Sequence, residues 1–380
     1  MTTSSNTATT ALLHTPLHAL HQELGARMVP FAGYAMPVQY PAGLMKEHLH
    51  VREKAGLFDV SHMGQLRLSG PDAAAALESL LPVDVIGLDL HKQRYGLLLN
   101  DDGGILDDLM FVNRGDDLFL IVNGACKAAD IAWIQGRIGQ ICTVTPMPEQ
   151  ALLALQGPSA VQALEALVPG VNKLVFMTGG AFAWQGQSLY ITRSGYTGED
   201  GFEVSLPATA AQAFARALLA QDGVMPIGLG ARNSLRLEAG LCLYGNDIDT
   251  SSTPAQASLN WAIPKVRRLS GERAGGFPGA DKVLAEIDQP STLPRKRVSL
   301  LGQERVPVRE HTELHNAQGE RVGEVTSGLL SPCLDKPIAM AYVPLEYAAA
   351  GTLLYAMVRG KKIPMEVTSG AFVPARYYRG

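Results

Sequence analysis

Cysteine is scarce in this chain: only four of the 380 residues are cysteine, and no two of them form a Cys-x-x-Cys pair. This scarcity argues against a disulfide framework. Without closely spaced cysteines or a His-Glu-x-x-His pattern, the sequence predicts no metal site. We interpret the cysteines as buried thiols in a reducing compartment. They stand at Cys126, Cys142, Cys242 and Cys333.

A long apolar run and an excess of positive charge are also missing. No segment is apolar over the roughly 20 residues that a membrane-spanning helix needs, so no membrane partner is predicted. The formal net charge of −4 gives no signal for binding nucleic acid. Residues 1–10 are rich in Ser and Thr but lack Arg and an apolar core. This composition predicts an unstructured start without a targeting signal, and therefore a cytoplasmic protein.

An internal repeat organises the first two thirds of the chain. Residues 66–82 align with residues 153–169, and each segment reads as a strand, a Gly-Pro step and an amphipathic helix that ends near proline. Three apolar runs and a second helical segment follow in both copies. We therefore predict two related α+β units with antiparallel sheets and covering helices.

The sequence changes character after Asp249. Residues 256–295 are rich in turn formers and charged residues, which predicts a linker region. Five short alternating runs between residues 297 and 367 then predict a separate all-β barrel or sandwich. A chain of this length with 47% hydrophobic residues is expected to form two or three domains.

Two adjacent carboxylates lie in an otherwise apolar strand at Asp107 and Asp108. Successive side chains of a strand point to opposite faces, so only one of the two can face a given site. Because both faces are otherwise apolar, at least one carboxylate is expected to be half-buried, where an unpaired charge is costly. The residues leave two interpretations open: a functional carboxylate, or a structural one that caps turn amides.

Three further polar positions are candidates. Glu203 lies in an apolar strand and reads equally as an ordinary solvent-facing glutamate, and Tyr196 beside a glycine turn is either a stacking platform or a surface aromatic. Arg232 and Arg236 lie four residues apart on a predicted helix and share a face, which calls for an acidic partner or an anionic ligand. The residues alone do not choose between these alternatives.

Six separated stretches resemble the aminomethyltransferase (T-protein) family of the glycine cleavage system, and the resemblance covers Thr15 to Tyr378. Agreement in many separated places is more specific than any single motif. The stretches span residues 31–40, 57–63, 100–108, 195–203, 228–249 and 374–378.

The resemblance implies an enzyme that transfers a one-carbon unit from the aminomethyl-dihydrolipoyl arm of the lipoylated H-protein to tetrahydrofolate. Ammonia leaves and 5,10-methylenetetrahydrofolate forms. It also implies roles for six residues: Asp108 as the catalytic carboxylate, Glu203 as the pterin-recognising group, Arg232 and Tyr377 as ligand contacts, and Met63 and Tyr196 as walls of the folate pocket.

The implied architecture is a three-domain cloverleaf around a central folate channel. The first α+β domain is discontinuous and comprises residues 14–59 and 148–255, and the second comprises residues 60–147. The linker region spans residues 256–295, and the C-terminal β-barrel spans residues 296–380.

Two alternatives stay open beside this function. One is a folate-dependent demethylase of a small methylated substrate, and the other is a non-catalytic folate-binding protein. The chain departs from the family pattern at Asn233, where many relatives carry Asp, so a charged partner of an arginine is neutralised here.

Two basic clusters are candidates for guiding an acidic carrier protein. The first contains Lys265, Arg267 and Arg268, and the second comprises Arg359, Lys361 and Lys362. Positive clusters stand out in a chain of net negative charge, although most charged runs are only solvated faces.

Overall fold

The computed structural model describes residues 11–380, so the prediction for residues 1–10 lies outside the described residues. Over this range the chain combines short helices with antiparallel sheets. The α-helices in chain order are α1 (His18–Glu23), α2 (Leu44–Glu53), α3 (Ala73–Glu78), α4 (Lys127–Ile138), α5 (Ala160–Glu165), α6 (Ala208–Leu219), α7 (Leu229–Glu238) and α8 (Ala280–Asp288).

The strands form a hairpin, two larger sheets and a closed barrel. In chain order they are β1 (Arg27–Phe31), β2 (Tyr34–Gln39), β3 (Ala55–Asp59), β4 (Gly64–Ser69), β5 (Gln93–Leu99), β6 (Ile105–Asn113), β7 (Asp117–Val122), β8 (Thr143–Pro146), β9 (Gln150–Gln156), β10 (Gly179–Trp184), β11 (Gln187–Thr192), β12 (Gly201–Pro207), β13 (Val224–Pro226), β14 (Lys296–Gly302), β15 (Glu313–His315), β16 (Arg321–Leu330), β17 (Pro337–Val343), β18 (Leu353–Val358) and β19 (Lys361–Thr368).

The first four strands of the two larger sheets follow the same order, which confirms the predicted pair of related α+β units. The five-stranded sheet runs β5-β6-β7-β4-β8, and the six-stranded sheet runs β10-β11-β12-β9-β3-β13. In each, the strand before the Gly-Pro step pairs with the third of the three strands that follow it: β4 pairs with β7, and β9 pairs with β12. The six-stranded sheet is extended by β3 and β13, which come from outside the repeat.

The Gly-Pro steps have a backbone reason. Gly70 and Gly157 have φ angles of +122° and +127°, a region that side chains disfavour. A Cβ atom on Gly157 would lie 2.2 Å from the carbonyl oxygen of Lys54, so this turn also needs the space that glycine leaves. The turn redirects the chain from the strand into α5, and its counterpart at Gly70 leads into α3.

The two sheets pack against each other across a shared apolar cluster. Phe58 and Leu152 of the six-stranded sheet meet Phe119 and Ile121 of the five-stranded sheet in this cluster. The Ser205 hydroxyl donates to Oε1 of Gln65 at 2.6 Å, a hydrogen bond between β12 and β4. The inner faces of the sheets are therefore in contact. Their outer faces belong to separate cores, and the helices that contribute to those cores include α4 for the five-stranded sheet and α6 for the six-stranded sheet.

The C-terminal region forms a closed barrel of six strands in the order β14-β17-β16-β15-β18-β19. This confirms the predicted all-β unit, and it selects the barrel over the sandwich. Closure leaves no free sheet edge, and alternate residues such as Leu300, Leu314, Val325 and Leu354 fill the interior.

The segment predicted as a linker is packed instead of extended. Ile263, Phe277, Val283 and Leu284 are buried in the core of the five-stranded sheet, and α8 forms within this segment. The turn residues of this segment predicted an exposed connection. Its apolar residues instead pack on the five-stranded sheet, whose strands lie much earlier in the chain. No helix between residues 11 and 380 is long and apolar enough to cross a membrane.

Candidate active site

Asp107 and Asp108 lie on opposite faces of β6, as strand alternation predicts. Asp107 is fully buried on the outer face, with Ile105 and Leu109. Asp108 is half-buried on the inner face, where its neighbour Met110 packs beside the apolar cluster between the sheets. The strand therefore directs the Asp108 carboxyl towards the six-stranded sheet.

Two hydrogen bonds hold the Asp108 carboxyl in place. The Asn123 side-chain nitrogen donates to Oδ1 at 2.8 Å, and the Tyr95 hydroxyl donates to Oδ2 at 3.0 Å. Tyr95 in turn stacks on the exposed Trp261, with ring centroids 5.3 Å apart. No pattern in the sequence marks Asn123 or Tyr95, since each lies 13 or more residues from Asp108 and only the sheet brings them together.

The pKa of Asp108 is shifted to the range in which catalytic acids and bases work. Burial, followed by the negative charge of Asp107, raises it to about 7, and the hydrogen bonds from Tyr95 and Asn123 oppose only part of this rise. A carboxyl with this pKa can both accept and release a proton at neutral pH. The side chains of Tyr95 and Asn123 bond the Asp108 carboxyl, in contrast to a carboxylate that caps turn amides.

Glu203 faces the same inter-sheet space from the other side. It shares the inner face of β12 with Ser205, whose hydroxyl bonds across to the five-stranded sheet. The Ser194 hydroxyl donates to Oε2 of Glu203 at 3.2 Å. Burial raises the pKa of Glu203, while the positive charge of Arg232 and the Ser194 hydrogen bond oppose the rise. The half-buried Glu203 is thus not the ordinary solvent-facing residue of the alternative interpretation.

Arg232 and Tyr196 link the two carboxylates through their electrostatic interactions. The charge of Arg232 acts on both Glu203 and Tyr196, and the charge of Asp108 acts on Tyr196. The guanidinium carbon of Arg232 lies 4.8 Å from the centroid of the Tyr196 ring. The Tyr196 hydroxyl donates to the Cys242 carbonyl oxygen. Burial raises the pKa of Tyr196, and the charges of Asp108 and Arg232 both act on it. The structure therefore brings Asp108, Tyr196, Arg232 and Glu203 into one region.

Arg236 does not belong to this region, although it shares α7 with Arg232. It is almost fully buried, and its Nη1 pairs with Oδ2 of Asp247 at 2.6 Å. Its Nε donates to Oδ1 of Asn233 at 2.9 Å, and its Nη2 donates to the Ser327 hydroxyl of the barrel. Arg236 thus joins α7 to the barrel. The neutral Asn233 suffices, because Asp247 supplies the charge.

Met63 and Tyr377 occupy different surroundings. Met63 is half-buried beside the apolar cluster between the sheets. Tyr377 stacks on Phe176 with ring centroids 4.0 Å apart, and burial raises its pKa. The C-terminal segment that carries Tyr377 is fixed by Arg376, which pairs with Oε1 of Glu199 at 2.5 Å. Tyr377 lies among the charges of Arg52, Glu199 and Arg379.

One group within residues 11–380 has a donor set suited to a metal ion: His48, Glu238 and Cys333, with ligand atoms within 4.8 Å of one another. Glu238 already accepts two hydrogen bonds from the Arg52 guanidinium, the shorter at 2.7 Å, and one from the Ser331 hydroxyl. The positive charge of Arg52 opposes a cation at this place. That the reaction needs no metal stays a prediction, and assay after chelator treatment tests it.

The prediction that Lys265, Arg267 and Arg268 form a docking surface is wrong. Arg267 is buried, with its Nη1 3.2 Å from Oε1 of Glu78, and Arg268 donates to the carbonyl oxygens of Asn260 and Ile263. Arg267 thus ties the segment of residues 256–295 to α3, and Arg268 bonds within that segment. Their charges read as a surface run because Glu78 is 189 residues away in the chain.

Two family descriptions match the chain. The GCVT N-terminal domain matches residues 17–267, and the glycine cleavage T-protein C-terminal barrel domain matches residues 295–374. The first covers both related sheets, and the second coincides with the closed barrel.

Several proteins resemble the chain over almost its whole length. A mitochondrial aminomethyltransferase from Dictyostelium discoideum is 43% identical, over 96% of this chain and 94% of the relative. The mitochondrial aminomethyltransferase of Homo sapiens is 42% identical, over 97% of this chain and 91% of the relative. The crystal structure of the glycine cleavage system aminomethyltransferase T from Bartonella henselae superposes with a TM-score of 0.91 at 44% identity, over 97% of this chain and all of that one.

Fold, site and similarity together define a folate-dependent transferase. More narrowly, the chain belongs to the glycine cleavage T-protein family, the aminomethyltransferases of the glycine cleavage system. The two relatives named above are mitochondrial, so they lend no support to the predicted cytoplasmic location.

Proposed function

We propose that this aminomethyltransferase accepts the aminomethyl group from the dihydrolipoyl arm of the H-protein and transfers its one-carbon unit to tetrahydrofolate. Ammonia leaves, and 5,10-methylenetetrahydrofolate forms. The observation that carries this proposal is the half-buried carboxyl of Asp108, whose pKa is about 7, on the sheet face that looks towards Glu203 and Arg232.

Glu203 is proposed to recognise the pterin. A carboxylate accepts two parallel hydrogen bonds from a ring N–H and an exocyclic amine, which is the pattern that a pterin offers. The Ser194 hydroxyl and the charge of Arg232 favour the ionised form of Glu203 that this contact needs. Tyr196 carries the Arg232 guanidinium over its ring and thereby supports the same arrangement.

Asp108 is proposed to handle the protons of the transfer. The one-carbon unit forms bonds to two folate nitrogens, and each nitrogen loses a proton. The bonds of that carbon to the amine nitrogen and to the lipoyl sulfur break, so one proton leaves with the amine as ammonia and the other restores the lipoyl thiol. A carboxyl with a pKa of about 7 can take a proton from a folate nitrogen and provide one to a leaving group. Asn123 and Tyr95 each bond one carboxyl oxygen, so the carboxyl keeps one orientation through both steps.

The proposed reaction separates from its alternatives in one assay. Purified protein is incubated with tetrahydrofolate and aminomethylated H-protein, and ammonia and methylenetetrahydrofolate are measured. We expect equal amounts of both products, and neither product when the H-protein is replaced by small methylated amines. Turnover of the small amines would favour the demethylase, and folate binding without turnover would favour the non-catalytic alternative. The Asp108→Asn variant is the matched control.

The second basic cluster is the proposed contact for the carrier. Arg359, Lys361 and Lys362 are exposed at the turn between β18 and β19. Reversal of all three charges is expected to raise the apparent KM for the H-protein at low salt and much less at high salt, because ions screen the attraction. Charge reversal at the exposed Lys282 of α8 is the control. An unchanged KM at low salt would place docking elsewhere.

We also propose that the protein is located in the cytoplasm. All four cysteines are free, which fits a reducing compartment. Fractionation of cells that express the tagged chain tests it, and recovery in an organelle would contradict it.

A further inference from the structure

A pair of acidic side chains lies directly behind Asp108. Asp107 on β6 and Asp130 on α4 are both buried, and their carboxyl groups are in hydrogen-bond contact. Among residues 11–380, no lysine, arginine or histidine forms an ion pair with either of them. Two ionised carboxylates in contact without a cation would repel each other strongly in a buried site, so the pair must hold a proton.

The surroundings decide which of the two carboxyls holds that proton. Asp107 accepts hydrogen bonds from both the backbone nitrogen and the side-chain nitrogen of Asn123, at 3.0 and 2.9 Å. One oxygen of Asp130 has no donor at all. Donors stabilise a carboxylate, so the negative charge rests on Asp107 and the proton on Asp130. Burial and the charge of Asp107 raise the pKa of Asp130 to about 10, which agrees with this assignment.

Asn123 connects the pair to the active site. Its side-chain nitrogen donates to Oδ1 of Asp107 at 2.9 Å, to Oδ1 of Asp108 at 2.8 Å and to the Asp108 carbonyl oxygen at 3.1 Å. The amide thus spans both faces of β6. A displacement of the Asp107 carboxylate would move the amide, and with it the donor that orients Asp108.

We propose that Asp130 is a positioning residue of the transfer reaction: it holds a proton that it donates to Asp107, and Asp107 orients Asp108 through Asn123. This inference rests on the proposed function, because it assigns Asp108 to the chemistry. Asp107 has a second effect, since its negative charge faces Asp108 and favours the protonated form of that carboxyl.

Several other titratable groups face these carboxyls. Tyr95 reaches Asp108 from β5, and the charge of Asp108 also acts on Tyr196 and Cys242. The Cys126 thiol contacts Asp107 from the start of α4, and Tyr244 feels the charges of Asp107 and Asp130. Burial raises the pKa of each of these five groups, so they stay neutral at neutral pH. They are Tyr95, Cys126, Tyr196, Cys242 and Tyr244.

Three variants test the proposal through the pH dependence of kcat. The limb of the pH profile of kcat that reflects the titration of Asp108 is identified as the one that disappears in Asp108→Asn. Asp130→Asn keeps a neutral donor to Asp107, so the limb should stay in place and kcat should change less than about threefold. Asp130→Leu removes the donor, so Asp107 takes up the proton. Its charge beside Asp108 is lost, and the limb should move to lower pH by about one unit.

Asp107→Asn removes the same charge directly and should move the limb in the same direction. The KM for tetrahydrofolate should stay unchanged in all three variants. Equal behaviour of Asp130→Asn and Asp130→Leu, with loss of thermal stability but no shift of the limb, would overturn the proposal and leave Asp130 a structural residue.

An independent readout needs no substrate. In protein labelled with ¹³C at the aspartate carboxyls, the Asp130 signal, identified by its loss in Asp130→Asn, should report a protonated carboxyl at pH 7. An ionised Asp130 would overturn the proposal even if the protein transferred no one-carbon unit. Conversely, a protonated Asp130 in a protein without activity would refute the proposed function and leave the acid pair in place.

Discussion

The two related sheets each direct one carboxylate into the space between them, yet they surround it with opposite charges. Asp108 on β6 lies beside the negative Asp107, and Glu203 on β12 lies beside the positive Arg232. Burial raises the pKa of both. The neighbouring charge therefore makes the difference between the two pKa shifts. Asp107 adds to the effect of burial on Asp108, and Arg232 opposes the effect of burial on Glu203.

The position in the sheet explains how a repeated fold produced two different sites. Asp108 lies on the second strand of its sheet order and Glu203 on the third, so the two are not equivalent positions of the repeat. The side chains that donate hydrogen bonds to Asp108, Tyr95 and Asn123, are neutral, so no cation holds Asp108 in its ionised form. Glu203 has a cation that favours its ionised form. Asp108 is therefore the proposed proton-carrying carboxyl of one sheet, and Glu203 is the proposed ligand-binding carboxylate of the other.

Loss of the proton-carrying group should have the largest effect. Asp108→Asn is expected to lower kcat by about 100-fold or more, since an amide cannot carry the proton. The affinity for tetrahydrofolate should change little. Asp107→Asn is the matched control, because it removes the adjacent carboxylate on the other face of the strand. Steady-state kinetics check this, and an equal or larger loss of kcat at Asp107 would reverse the assignment.

Loss of the ligand-binding group should act on affinity instead. Glu203→Ala is expected to weaken tetrahydrofolate binding by about 1–3 kcal/mol, because polar groups of the ligand are left without a partner. At saturating folate, kcat should stay close to that of the unchanged chain. Calorimetry measures the affinity, and Glu313→Ala, at an exposed barrel glutamate, is the control. Unchanged affinity would return Glu203 to a residue without a ligand.

Removal of the cation should make the two carboxylates more alike. Arg232 lowers the pKa of Glu203 against the effect of burial, so Arg232→Met is expected to raise that pKa further. Protonated Glu203 carries a proton on one of the two oxygens that would accept the hydrogen bonds of the pterin. Folate binding should therefore begin to weaken at a higher pH than in the unchanged chain. Calorimetry across the acidic range checks this, and parallel pH curves would refute the proposed pairing.

The smallest effect is expected at the aromatic stack of Tyr377 on Phe176. Tyr377→Leu removes this stack, a contact worth about 0.5–1.5 kcal/mol. Because Tyr377 is a ligand contact by the family resemblance, loss of this support should lower folate affinity by up to about tenfold while kcat is retained. Tyr377→Phe keeps the ring and is the matched control. If Tyr377→Phe weakens binding as much as Tyr377→Leu, the hydroxyl is the important group and the stack is not.

Local patterns in the sequence were sufficient for the repeat and for several elements. The second helical segment predicted in each copy is present as α4 and α6, and the alternation around Asp107 and Asp108 assigned each carboxylate to its face. Partners from distant segments left no such signal. All five residues of β3 are buried, so no alternation marked it, and its place beside β9 depends on tertiary packing.

The candidate site shows the same limit. Asp108 and Glu203 stood out as carboxylates in apolar strands, but nothing nearby in the chain marked Asn123 as the residue that bonds both aspartates. Arg267 shows the reverse case. It read as surface charge, and only the fold reveals that Glu78 pairs with it in a buried site.

The most direct test of the proposed site is a crystal structure of the protein with tetrahydrofolate bound. We predict one pterin between the two sheets, with Glu203 accepting hydrogen bonds from the pterin ring and Asp108 within hydrogen-bond distance of a reacting folate nitrogen. A folate that contacts only one of these carboxylates, or that lies outside the space between the sheets, would contradict it.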